Sequence, residues 1–150
     1  MIPTEYLDWL RPYPKAIQEL ALAAREFAVS RAPDATEIVA DGVYTVSMGL
    51  SYTHTYVKGF IYIAAASDHV NFGFNYGASF DDPESRLLGS GSQSRHIKLW
   101  TISDLEDPYF QMMFDQAHNR AFRPHPALER RIVLMRYENA NKRRPATKAL

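Results

Sequence analysis

The chain has 150 residues, and its 17 Lys and Arg balance 17 Asp and Glu to a formal net charge of zero. That length suits one domain whose core can stand without staples. The absence of cysteine excludes disulfides, thiolate metal sites and cysteine nucleophiles.

Met1 to Leu10 contains Glu5 and Asp8 and has neither a basic start nor an apolar h-region. No secretory signal is read there, and the cytoplasm is the expected location. No apolar run approaches the roughly 20 residues that cross a bilayer, so no membrane partner is expected. Pro14 is well placed at the first position of a helix. Ile17, Leu20, Ala21, Ala24, Phe27 and Ala28 then recur at helical spacing, with Lys15, Glu19, Arg25 and Glu26 on the wet side. Ala32-Pro33 stops the helix. Asp34 followed by Glu37, Ile38 and Val39 predicts a short capped helix that ends at Gly42.

From Val43 to Tyr76 the period changes to two. Val43–Met48, Tyr56–Ala64 and His69–Tyr76 are predicted strands, rich in β-branched and aromatic residues. Their short connections predict an antiparallel meander. Val70, Phe72, Phe74 and Tyr76 point one way; His69, Asn71, Gly73 and Asn75 point the other. Gly77 to Ser94 reads as loop, with a helical turn predicted at Glu84–Leu88. Arg95–Thr101 is a fourth strand, with Ile97 and Leu99 inward and His96, Lys98 and Trp100 outward. Ser103 and Glu106 have capping-box spacing, and Asp107-Pro108 is a second helix start. Phe110, Met113, Phe114, Ala117 and Ala121 form the stripe of that helix, which runs to about Phe122. Arg131–Tyr137 predicts a final strand, with a helix as the alternative. Residues 1–138 form the single predicted domain, and Asn139 to Leu150 reads as a basic, flexible tail.

The zero net charge conceals two unlike parts. Residues 1–119 hold 15 acidic and 8 basic side chains, a net of −7. Residues 120–150 have a net of +7 and include Lys142, Arg143 and Arg144. Such a segment suits an anion or nucleic-acid partner. From Arg130 onward only Tyr137 is a stacking aromatic, so a solvated tail is the preferred reading.

The string HVNFGFNYGASFDDPESRLLGSGSQSRHIKL, from His69 to Leu99, resembles the signature of the YdhG-like domain family. Some members of that family carry frataxin-like or iron-chaperone-like labels. The resemblance rests on positions such as Asn71, Gly77, Asp82, Pro83, Gly89 and His96. It implies an α+β fold of the secretion-chaperone-like kind: two layers, with a largely antiparallel sheet and helices on one face. It implies no established activity. The chain departs from the family at Ser92-Gln93-Ser94, where the family carries a lysine-bearing loop.

Candidate chemistry is sparse. Gly89-Ser90-Gly91-Ser92-Gln93-Ser94 looks like a dinucleotide loop, but a strand follows it where a helix is required. Gly89, Gly91 and Arg95 remain candidates for an anion nest. Ser90 lacks the nucleophile-elbow pattern. His69 and His96 share outward parity and offer an iron- or zinc-handling alternative with acidic help. The clusters Asp81, Asp82, Glu84 and Asp104, Glu106, Asp107 stand at predicted helix starts, where capping explains them. No catalytic residue, resident metal or cofactor is assigned.

The uncovered sheet face is the preferred functional surface. By parity it carries Phe60, Tyr62, His69 and Asn71, then His96, Lys98 and Trp100, with Lys58 and Asn75 beside them and Arg95 adjoining. Exposed aromatics ringed by polar groups mark a partner or ligand surface. The expectation is a non-enzymatic binding module. It would pair with itself as a homodimer, or take a small molecule or another protein, through this face.

Overall fold

The computed structural model describes residues 1–137. Three helices, α1 (Thr4–Leu10), α2 (Lys15–Arg31) and α3 (Pro108–Asn119), pack on one face of a six-stranded sheet. The strands are β1 (Thr36–Asp41), β2 (Val46–Ser51), β3 (Ile61–Ala65), β4 (Val70–Phe74), β5 (Arg95–Leu99) and β6 (Ile132–Arg136). Their order is β5-β4-β3-β2-β1-β6. The first five form an antiparallel meander, of which the part from β2 to β4 was expected. β6 returns to pair in parallel with β1. The fold is therefore α+β, largely antiparallel, with helices on one face.

The core follows from the stripes read in the sequence. All six α2 stripe residues are buried, as are Phe110, Met113, Phe114 and Ala117 of α3. They meet Met48, Ile63, Phe72 and Leu99 from the inward parity of β2 to β5. Phe72 stands edge-on to Phe110 at 4.8 Å between ring centroids, and Phe27 lies edge-on to Phe114 at 5.3 Å. Such aromatic pairs add to simple area burial.

Several elements differ from expectation. α1 has no sequence counterpart, and it buries Tyr6 and Leu10. The segment read as a capped helix over 34–42 is strand β1. Glu37, which would have closed a capping box, is fully buried and clasped by Arg25 at 2.5 and 2.9 Å, with Arg130 at 3.3 Å. Arg25 accordingly leaves the wet face of α2 and is buried. Pairing with β2 and β6 satisfies the β1 backbone on both edges, which a short isolated helix could not match.

The predicted turn at Glu84–Leu88 is not helical. Asp82 organises it instead, accepting from the backbone N–H groups of Arg86 and Leu87 and from the Tyr109 hydroxyl. The capping box is formed by Thr101 and Asp104, not by Ser103 and Glu106. Asp107 caps α3 as expected, accepting from Tyr109 N–H. The predicted tail at 139–150, with Lys142, Arg143 and Arg144, lies outside the described residues. Among the described residues, no helix is long and apolar enough to cross a membrane.

Candidate functional site

The face turned away from the helices carries two cross-strand rows. One runs Val133, Ile38, Gly49, Tyr62, Gly73, His96; the other runs Met135, Ala40, Ser47, Ala64, Asn71, Lys98. Gly49 of the first row and Ala40, Ser47 and Ala64 of the second are very small side chains. The Tyr62 ring does not cover them. It lies over Gly73, where an added Cβ would stand 1.9 Å from Cζ of the ring. A strand glycine here serves close approach of another group. The Tyr62 hydroxyl hydrogen-bonds the Ser94 hydroxyl at 3.1 Å, which ties the ring toward β5.

The result is a basin of about 360 Å³ over Ala40, Ser47, Gly49 and Ala64. Tyr62 forms one wall, and Ile38 and Met135 form the other. Val43, Tyr44 and Tyr137 bound the end at the β1–β2 turn, while Tyr56, Gly59 and Asn75 bound the opposite end. The volume lies within the range of about 300–1,000 Å³ usual for small-molecule sites. Among the described residues, no charged side chain lines it.

Polar valence in the basin is limited and specific. The Thr45 hydroxyl is engaged with the Ala65 carbonyl. Asn75 has a buried Oδ1 with no hydrogen-bond partner, and its amide nitrogen lies 3.5 Å from where a Cβ of Gly59 would stand.

The sequence-derived face residues scatter around this basin. Tyr62 lines it. Asn71, His96 and Lys98 lie on the same face but beyond the Tyr62 ring. His69 bonds Asp68 at 2.7 Å and packs on Trp100 at 5.1 Å, and Trp100 is 55% exposed past the end of β5. Phe60 does not belong to the face. It is buried and stacked on Tyr52 at 5.4 Å, because the helical turn at Tyr56–Lys58 and Gly59 break the strand before β3 begins. Lys58 reaches instead over the Phe122 ring at 5.0 Å.

Arg95 is likewise displaced from the face. It pairs with Phe74, giving it parity opposite to His96, and its guanidinium donates to the carbonyls of Gly91 and Ser94. The loop of Gly89 and Gly91 thus turns carbonyl oxygens on its neighbouring cation, where an anion nest needs N–H groups. Gly89 does adopt a positive φ of 120°. Among the described residues, no group of three His, Asp or Glu side chains could hold a metal ion.

The sequence reading missed most of the basin. Ile38 and Ala40 were hidden in the supposed helix. Gly49 fell outside the predicted strand, because β2 runs to Ser51, and Ser47 lay inside it without being assigned to a face. The alternation of Val133 and Met135 carried a usable signal, since their parity puts both on this face.

A second polar cluster lies on the helix side. Tyr52 donates to Asp34 at 3.2 Å, so at 2.8 Å it accepts from His118 Nε2–H. Burial, reinforced by Arg123, holds His118 below the ordinary histidine range. Burial, with Lys98 and His69, does the same to His96. Both are therefore neutral in the fold at pH values where the unfolded chain begins to take up protons, near 6.5. Their contribution is complete above that value and is lost progressively as the pH falls below it. The urea midpoint should drop between pH 7.5 and 5.5, and less steeply in a His96→Gln/His118→Gln protein. Equal slopes would disprove the assignment.

Fold and site together define an α+β domain with an open-faced sheet and an uncharged apolar basin. No family model, curated protein or solved structure matches the chain.

Proposed function

We propose that the protein is a non-enzymatic binding module that holds a small uncharged ligand in the basin of its open sheet face. The observation that carries this reading is the floor of Ala40, Ser47, Gly49 and Ala64, sunk between Tyr62 and the Ile38–Met135 wall. A face built only to meet a second copy needs no such hollow. Concave, mostly apolar sites with a few polar groups are the usual form of ligand pockets. The resemblance of residues 69–99 to the YdhG-like domain family belongs to this proposal. Its positions fall on β4, β5 and the loop between them, beside the basin, and it supplies no ligand.

A neutral solvatochromic dye such as Nile red tests the reading. Ala64→Leu places a branched side chain on the basin floor while keeping an apolar strand residue. Dye affinity should fall at least about tenfold, the range of one buried apolar group. The circular dichroism spectrum should be unchanged. Equal affinity in the two proteins would refute the proposal. Homodimerisation through the same face is the competing occupant, and it would show as dye uptake that declines as protein concentration rises.

A further inference from the structure

The basin does not suit every apolar molecule equally. Resting on its reading as a ligand site, we propose that the ligand is an uncharged planar ring bearing a cis-amide edge, such as a lactam, which pairs with the Asn75 carboxamide. Three observations lead there.

The first is charge. Among the described residues, no Asp, Glu, Lys, Arg or His side chain lines the basin. A charged ligand would give up water without meeting a counter-ion, which is costly. The second is shape. The floor residues Ala40, Ser47, Gly49 and Ala64 rise little above the backbone, and the Tyr62 ring and the Ile38–Met135 pair stand on either side. That is a slot for a flat ring.

The third is hydrogen bonding. Asn75 lines the end of the basin beside Tyr56 and Gly59. Its Oδ1 is covered yet has no partner. Such an acceptor carries an uncompensated desolvation penalty. A carboxamide offers one acceptor and two donors in a plane. A cis-amide edge presents the complementary donor and acceptor side by side. Oδ1 has almost no exposed surface as it stands, so pairing requires a turn about the terminal torsion of asparagine, which is soft.

The test compares isoquinolin-1(2H)-one with its N-methyl derivative, each displacing Nile red from the full chain. The two probes share a ring system, but only the first can donate to Oδ1. The lactam should compete roughly tenfold better, as one net hydrogen bond predicts. Asn75→Leu should erase that preference, with each probe's competition referred to the dye affinity of that variant. Equal competition by the two probes on the unaltered protein would overturn the inference even if no variant folded. So would a preference that persists in Asn75→Leu. Dye binding without probe discrimination defeats only the amide inference. Absence of dye binding defeats the basin reading and this inference together.

Discussion

Arg25→Met should destabilise the protein by about 3–5 kcal/mol, the cost of stripping a buried charge of its partner. Glu37 is fully buried, and Arg25 grips both of its carboxylate oxygens. Arg25 also donates to the Met1 carbonyl at 2.9 Å, fastening the N-terminus. Methionine keeps much of the side-chain volume but removes five donors. Among the described residues Glu37 would then keep only Arg130 as an ion-pair partner, whose contact at 3.3 Å comes from a side chain that is partly in water. Urea denaturation at pH 7 measures the loss. The double variant Arg25→Met/Glu37→Leu should recover most of it, since replacing a whole buried pair by apolar groups is often neutral or better. A single-variant loss below about 1 kcal/mol, the scale of a surface pair, would show that the pair is weak.

The second large effect is expected at Phe72. Phe72→Ala should cost about 3–5 kcal/mol, combining lost transfer energy with the cavity left behind. Phe72 is fully buried on β4, edge-on to Phe110 and near Phe74 at 5.6 Å and Phe114 at 6.2 Å. Three neighbouring rings cannot all shift to fill the gap, so relaxation is limited. Phe72→Leu should cost clearly less, because most of the volume remains. Equal costs for the two variants would indicate that the site collapses freely.

What the sequence disclosed followed physical type. The stripes of α2 and α3 and the alternation of β4 were legible because each element buries one face and wets the other. β1 was not legible. Its inward residues include Glu37 and Asp41, both buried charges, and Asp34 with Glu37 imitates a helix cap. What makes it a strand is pairing with β2 and with β6, and the latter depends on residues far along the chain. The candidate site suffered for the same reason. Tyr62 and Asn75 were readable by parity. The basin, however, is made by what Gly49, Ala64 and Ser47 lack, and by where Tyr62 leans, which depends on Gly73 across the strand pair. Phe60 was misplaced because the helical turn at Tyr56–Lys58 and Gly59 end the alternation before β3 begins.

The parallel return of β6 bears on how the chain is made. Thr36 and Arg131, which share a hydrogen bond at this seam, are 95 residues apart. On the ribosome all of β1 to β5 is synthesised before β6. Until then the outer edge of β1 is open, and Glu37 waits for Arg130. An unpaired edge is a template for unwanted strand addition. A seam closed by distant residues also forms late, because loop entropy must be met first. The nascent protein is thus open to misassembly in the interval between β5 and β6, and β6 acts as the latch that ends it.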